Sequence, residues 1–158
     1  MPAMIVQLEP NDSAAWLARW PAITPAHAEA IIAELIAGSR RIFECWVNGL
    51  AVGQVSLVTA KDDPDYVIPG QRAYLSRLYV LPGYRRQGIA TALVQHLCAC
   101  AKGLGYAEVS VGVDHANLAA RQLYARMGFD TVLYDGEDAD GRYLKLLKML
   151  DPQPPSAG

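Results

Sequence analysis

One strand-to-helix junction constrains the fold of this chain more than any other segment. A strand pattern over residues 73–80 runs through Leu81-Pro82-Gly83-Tyr84 into the turn Arg85-Arg86-Gln87-Gly88-Ile89-Ala90. An amphipathic helix follows over residues 89–104, and a Val-rich strand over residues 108–113 comes next. The order strand, helix, strand predicts a sheet with helices packed on its faces. The apolar positions of the helix are Ile89, Leu93, Leu97, Cys100 and Leu104.

Shorter patterns on both sides of this junction predict the remaining elements. Asn48-Gly49 separates two apolar runs and favours a tight antiparallel hairpin. Trp16 and Trp20 share one helical face that Pro21 interrupts, and core packing is the expected role of both tryptophans. Residues 135–141 read as an acidic turn and residues 61–71 as a surface loop. The predicted strands are 5–8, 42–47, 51–58, 129–134 and 143–149, and the predicted helices are 28–36 and 117–127.

Length and composition predict one domain over residues 1–150 and a disordered tail over residues 151–158, where three prolines fall. Fourteen basic and sixteen acidic residues give a net charge of -2, which argues against a nucleic-acid partner. No apolar stretch approaches the ~18 residues that a membrane span needs, so no membrane partner is expected. Three cysteines without CxxC spacing predict buried thiols in a reducing, cytoplasmic compartment.

The turn before the long helix has the properties of an anion site. The first turn of a helix offers unpaired N–H groups and the positive end of the helix dipole. Gly88 leaves the backbone open to a bulky phosphate, and Arg85 and Arg86 add positive charge. The turn lacks both the GxxxxGK[ST] and the GxGxxG signatures, which weakens the P-loop and dinucleotide-fold alternatives. Taken alone, these residues also fit a capped helix with solvated arginines.

Two motifs resemble those of the GNAT superfamily of N-acetyltransferases. The turn at residues 85–90 is similar to the family's [Gln/Arg]-x-x-Gly-x-[Gly/Ala] after a strand ending in Val80-Leu81-Pro82. Residues 117–124 are similar to the family's Asn-x-x-Ala-x-x-Leu-Tyr helix, and Gly128-Phe129 follows. The resemblance implies an α/β (α+β mixed) fold: a largely antiparallel sheet, splayed at its centre, with helices on both faces. It also implies a monomer or homodimer that uses acetyl-CoA as co-substrate.

The resemblance assigns roles to particular residues. The Val80 N–H would face the thioester carbonyl and stabilise the developing oxyanion. Asn117 would contact the pantetheine arm, a role that an N-cap can share. Tyr124 would donate a proton to the departing thiolate, since a phenol is protonated at neutral pH. The cofactor-binding positions are Leu78, Tyr79, Val80, Arg85, Arg86, Gln87, Gly88, Ile89, Ala90, Thr91, Asn117 and Tyr124.

The acceptor and the general base stay open at this stage. Glu44, Asp114 and His115 are conceivable bases, and none is chosen. His27 and His96 have no paired ligand spacing, so no metal is expected. Asp62, Asp63 and Asp65 are a hypothetical attraction for a cationic amine, and Trp16, Trp20, Tyr66 and Tyr74 are candidate pocket residues. An acetyltransferase leads over two alternatives, a non-catalytic acyl-CoA sensor and an unrelated α/β interaction module.

Overall fold

A computed structural model describes residues 3–20 and 23–150, and these residues form seven strands and four helices. The predicted tail at residues 151–158 and the predicted break at Pro21 lie outside the described residues. The strands are β1 (Met4–Gln7), β2 (Arg40–Val47), β3 (Leu50–Val58), β4 (Arg72–Val80), β5 (Glu108–Asp114), β6 (Thr131–Asp138) and β7 (Gly141–Met149). The helices are α1 (Ser13–Arg19), α2 (Pro25–Ala37), α3 (Ile89–Gly103) and α4 (Leu118–Arg126).

The seven strands form one sheet in the order β1-β2-β3-β4-β5-β7-β6. Every neighbouring pair is antiparallel except β4 and β5, which are parallel. The parallel pair is joined through α3, as a parallel connection requires a crossover segment. The predicted mixed and largely antiparallel sheet is therefore confirmed.

The turns of two hairpins differ in how well the sequence predicts them. Asn48 and Gly49 both adopt positive φ, 51° and 79°, as the tight turn between β2 and β3 demands. The predicted acidic turn at residues 135–141 is wrong, because β6 continues to Asp138 and only Ala139 and Asp140 turn. The β6/β7 pairing extends to Asp138 and Gly141, and the Arg142 guanidinium also pairs with the Asp135 carboxylate across the two strands.

The sheet buries a separate apolar cluster on each face. On one face α3 and α4 pack against the central strands, and Leu93, Val94 and Leu97 of α3 are fully buried. On the other face α1 and α2 cover the β2 end of the sheet through Trp16, Ile31, Leu35 and their neighbours. We call these the α3 face and the α1 face. Helices thus lie on both faces, as predicted, and the α1 face of β4 and β5 is covered by the loop that precedes β4 instead.

Candidate active site

The sheet opens where its two parallel strands part. The β4/β5 ladder runs from the Arg72–Glu108 pair to the Leu75–Val111 pair and ends there. Beyond that point β4 stays paired with β3 as far as Val80, and β5 stays paired with β7 as far as Asp114. A wedge-shaped gap therefore separates the ends of β4 and β5. This is the predicted splay, and backbone groups of both strands face into it.

A bulge in β4 marks the start of the gap. Ser56 pairs with Ser76 and Gln54 pairs with Tyr79, so Arg77 and Leu78 together oppose Val55. Arg77 takes a positive φ of 58°, which is uncommon for a residue other than glycine. A bulge bends and twists its strand. The sequence carries no glycine here, so the bulge leaves no local signal.

The backbone direction of Val80 follows from the register of β3 and β4. The Leu81 N–H donates to the Val52 carbonyl at 2.8 Å, and Gly53 is the Cα partner of Val80. Because successive residues of a strand direct their amides to opposite sides, the Val80 N–H points away from β3 and toward β5. The Val80 carbonyl, on the same side, accepts a hydrogen bond from Arg85 Nε at 2.9 Å. The Val80 N–H is thus a donor in the gap.

The turn between β4 and α3 has the geometry of an anion site. Gly88 precedes the helix with φ 80° and ψ 7°, and Arg86 also has a positive φ, 63°. The first helical hydrogen bond runs from the Ala92 N–H to the Gly88 carbonyl, which leaves the amides of Ile89, Ala90 and Thr91 without partners inside the helix. A Cβ placed on Gly88 would meet no atom within 4 Å. The space beside these amides is therefore open, because no protein atom packs against Gly88.

A cavity of about 600 Å³ joins this turn to the gap. Ten of the predicted cofactor-binding residues line it: Leu78, Tyr79, Val80, Arg85, Arg86, Gly88, Ile89, Ala90, Thr91 and Asn117. Five further lining residues were missed by the sequence analysis: Tyr84, Ala119, Ala120, Leu123 and Arg126. The last four lie on α4, whose first turns face the start of α3. Their identity carried no signal, because only the folded chain brings the two helices to one cavity.

Two predicted cofactor-binding residues lie outside the cavity lining. Gln87 is exposed in the turn. Tyr124 is only 5% exposed, and its ring packs edge-on against Phe129 with centroids 5.4 Å apart. Burial raises the pKa of the Tyr124 phenol above its ordinary value, and the neighbouring phenol of Tyr74 adds to the rise. The phenol is consequently protonated across the physiological range and able to donate.

Asn117 occupies a position with two uses. Its side-chain oxygen accepts a hydrogen bond from the Ala120 N–H at 3.1 Å and so caps α4. The residue also lines the cavity. The N-cap and the cavity position are thus compatible in one side chain.

Other residues singled out in the sequence have structural partners. Trp16 is 1% exposed and donates its indole N–H to Gln54, and Trp20 donates to Glu44. Glu44 is 2% exposed and is also held by the Arg19 guanidinium, so its carboxylate is committed to the α1 face. Both tryptophans are core residues, as expected.

Two of the three acidic loop residues are paired with a lysine, whereas Asp62 is exposed. Asp63 and Asp65 both bind the Lys145 ammonium, at 3.0 and 3.1 Å. Tyr66 and Tyr74 stack with centroids 4.3 Å apart, and Lys61 lies over both rings. The loop before β4 is thus fastened over the α1 face of the gap. The hypothesis that Asp63 and Asp65 attract a cationic amine finds no support in this arrangement.

In the described part of the chain, no group of three or more His, Cys, Asp or Glu residues is placed to hold a metal ion. Among residues 3–20 and 23–150, no helix combines the length and apolar character needed to cross a membrane.

The sequence is similar to those of known acetyltransferases. The sequence matches the Acetyltransferase (GNAT) family over residues 6–129. An uncharacterized N-acetyltransferase of Mycobacterium tuberculosis is 34% identical over 119 residues, covering 69% of this chain and 71% of the relative. An aminoglycoside N(6')-acetyltransferase type 1 of Klebsiella aerogenes is 28% identical over 138 residues, covering 82% of this chain and 90% of the relative.

Solved structures share the fold. An N-acetyltransferase from Staphylococcus aureus Mu50 aligns with a TM-score of 0.74 at 23% identity, over 96% of this chain and 100% of its own. A Salmonella typhimurium structure solved with acetyl-CoA aligns with a TM-score of 0.74 at 19% identity, over 100% of both chains. The fold and the family match together define an acetyltransferase. The chain belongs to the acetyltransferase (GNAT) family.

Proposed function

We propose that this protein transfers the acetyl group of acetyl-CoA to a primary amine of a small molecule or a protein by direct attack. The observation that carries the proposal is the alignment of two features along one cavity. The Val80 amide lies at one end, in the gap between β4 and β5, and the free amides of Ile89 to Thr91 lie at the other. We assign the thioester to the gap and the pyrophosphate to the helix start.

The residues present fit coenzyme A. The open space above Gly88 and the amides behind it accept a pyrophosphate at the positive end of the helix dipole. Arg86 and Arg126 line the same cavity and add positive charge to it. The unpaired edges of β4 and β5 suit the amides of the pantetheine arm, which bind as an added strand does. Asn117 lines the same cavity, and we assign it to the pantetheine arm.

Acetyl-CoA supplies the thioester carbonyl that the amine nitrogen attacks; the carbon–nitrogen bond forms, the carbon–sulfur bond breaks, and the nitrogen releases a proton to water, from which the phenol that protonates the thiolate is restored. The Val80 N–H donates to the carbonyl oxygen as negative charge develops there, an effect worth around 3 kcal/mol in other acyl-transfer sites. Tyr124 donates its phenolic proton to the thiolate, for which its raised pKa keeps it protonated. The three free cysteines suit the reducing cytoplasm, where we place the enzyme.

Release of free thiol from acetyl-CoA across a panel of amines tests the proposal. Thiol release that depends on an amine, together with the mass of the acetylated product, supports it. Coenzyme A binding without thiol release from any acceptor indicates a sensor instead of an enzyme. Absence of coenzyme A binding contradicts both assignments.

Tyr124→Phe tests the assigned acid. We expect turnover to fall by about 100-fold, within the range for loss of a general acid, while the affinity for coenzyme A stays the same. Tyr134→Phe is the matched control, because Tyr134 lies exposed on β6 outside the cavity. Steady-state kinetics and calorimetry separate the two effects. Unchanged turnover in Tyr124→Phe would remove the phenol from the mechanism.

A further inference from the structure

The ring of Tyr79 lies on the α1 face of the sheet, beside the gap. Gln54 is the Cα partner of Tyr79, and residues opposite each other on paired strands project to the same face. The Gln54 side chain accepts a hydrogen bond from the Trp16 indole of α1 at 2.8 Å, which places it on the α1 face. Trp20, at the end of α1, packs edge-on against the Tyr79 ring with centroids 6.1 Å apart. Two independent contacts thus place Tyr79 on the α1 face.

The next residue, Val80, projects to the other face. Val80 pairs with Gly53, and a Cβ built on Gly53 would meet the Leu93 and Ile89 side chains of α3 at 3.1 and 3.2 Å. The Val80 side chain is buried in the cluster under α3. Its N–H lies in the gap, between the two faces. The thioester assigned to this N–H therefore lies one residue away from the Tyr79 ring.

The cofactor cavity approaches the gap from the α3 side. Its lining includes Ile89 at the start of α3 and Leu123 of α4, and both of these side chains belong to the α3 face. Coenzyme A bound in the cavity fills this approach to the thioester. The α1 face is then the remaining approach for the amine.

The α1 face is covered at one end of the gap and open at the other. The loop before β4 covers the paired part of β4 and β5, where the Ser110 hydroxyl donates to the Tyr66 carbonyl at 2.6 Å. The Tyr66 hydroxyl lies 2.5 Å from where a Cβ on Gly112 would be, and Gly112 is the first β5 residue beyond the ladder. Tyr79 lies further along β4 and is 42% exposed. The opening on the α1 face is therefore beside the Tyr79 ring.

The Tyr79 ring is held in place on two sides. Trp20 packs against it, and the Trp20 indole N–H is already donated to Glu44. The Arg85 guanidinium lies 5.5 Å from the centroid of the ring, and its Nε donates to the Val80 carbonyl. A tyrosine ring held in this way offers a rigid, largely apolar contact surface at a low cost in conformational entropy.

We propose that the Tyr79 ring binds an apolar group of the acceptor, and that the acceptor is a primary amine with an aromatic or branched aliphatic group close to its nitrogen. The inference rests on the proposed function and adds the class of acceptor to it. Because neighbouring Cα atoms are only about 3.8 Å apart, an amine at the Val80 N–H has its apolar group at Tyr79 a few bonds away. Tyr79 lines the cofactor cavity, as the sequence predicts, and the proposal assigns its ring to the acceptor.

Binding of product-like amides tests this without requiring turnover. N-benzylacetamide and N-isobutylacetamide are titrated against N-methoxyethylacetamide in the presence of saturating coenzyme A, by calorimetry or by chemical-shift perturbation. All three probes are neutral, so charge does not enter the comparison. We expect each apolar amide to bind at least about tenfold more tightly than the methoxyethyl amide. Equal affinity of the three, or no binding of any at millimolar concentration, would overturn the proposal.

Tyr79→Ala is the informative variant, because it removes the ring. We expect it to bring the affinity for N-benzylacetamide down to that for the methoxyethyl amide. Tyr79→Phe keeps the ring and should keep the preference. Tyr134→Ala is the matched control, since Tyr134 is 40% exposed on β6 and lies outside the cavity lining. It should also keep the preference.

Two results with the variants would overturn the proposal. One is retention of the preference in Tyr79→Ala. The other is a parallel loss of affinity for coenzyme A alone in a Tyr79→Ala protein that thermal unfolding shows to be folded, because the ring would then support the cofactor cavity and not the acceptor.

The proposed activity and the proposed acceptor class fail in different ways. Thiol release with amines regardless of an apolar group leaves the acetyltransferase standing and removes the role of Tyr79. Selective binding of the apolar amides that is lost in Tyr79→Ala, without thiol release from any amine, leaves the apolar site standing and removes the proposed activity.

Discussion

Replacement of Gly88 by alanine is expected to lower the stability of the fold and the affinity for coenzyme A by different amounts. Gly88→Ala places a Cβ on a residue with φ 80° and ψ 7°. An L-residue in the left-handed region costs roughly 1 kcal/mol. The added Cβ meets no protein atom within 4 Å, so no steric term adds to this cost. For a chain of this length we expect Tm to fall by about 2–4 °C.

Coenzyme A binding should suffer more than stability does. The added methyl group occupies space beside the free amides of α3, where a phosphate must approach the backbone. We expect affinity for coenzyme A to fall by roughly tenfold or more, equivalent to about 1.4 kcal/mol. Calorimetric titration of coenzyme A measures this directly.

Gly38→Ala provides a control with nearly the same backbone strain. Gly38 caps the end of α2 with φ 84° and ψ 4°, and a Cβ there also meets no atom within 4 Å. It does not line the cavity. The two variants should lose similar stability, and only Gly88→Ala should lose affinity. Affinity within twofold of wild type for Gly88→Ala would refute the assignment of the turn as the phosphate site.

Two further predictions concern the supports of the acceptor side. Glu44→Gln removes the charge that binds Arg19 and leaves the partly exposed guanidinium unpaired, so the free energy of unfolding should fall by about 2–3 kcal/mol while coenzyme A affinity is kept. Urea unfolding measures the stability and calorimetry measures the affinity. A loss of affinity would contradict the separation of Glu44 from the cofactor site. Although burial opposes ionisation of Asp63, hydrogen bonds from Lys145 and from the Asp65 amide lower its pKa. A lowered carboxyl pKa contributes stability that is present above the unfolded pKa of about 3.9 and is lost as pH falls through the folded value. Asp63→Asn should therefore show a smaller loss of stability than wild type between pH 7 and pH 3, and an identical loss would show that the Lys145 bridge does not stabilise the loop.

The residues that the sequence assigns to the cofactor lie together in the fold to a greater extent than those it considers for the acceptor. Its signals there are local: a glycine with positive φ, arginines beside it and an N-capping Asn117 lie within single turns. Ten of the residues assigned in this way do meet in one cavity. Arg126 and Leu123 were missed because a helix surface residue looks the same in sequence whether it faces solvent or another helix.

The acceptor side depends on contacts between residues far apart in the chain. Glu44 appeared as a conceivable base until Arg19 and Trp20 were found to hold it. Asp63 and Asp65 read as free carboxylates in the sequence, whereas both bind Lys145, 80 or more residues away. Side-chain type alone cannot distinguish a free carboxylate from a paired one, because the partner comes from another element.

What the sequence determined by itself is the junction of β4 and α3 and the family to which it belongs. The unpaired amides and the positive end of the helix dipole at this turn follow from the glycine and the helix start, since both are properties of the local backbone. Tertiary structure alone decided the rest. The bulge at Arg77 and the end of the β4/β5 ladder at Leu75 follow from strand register. Register is set by the pairing of whole strands, and it places the charges of Arg72 and Glu108 together, which the sequence keeps 36 positions apart.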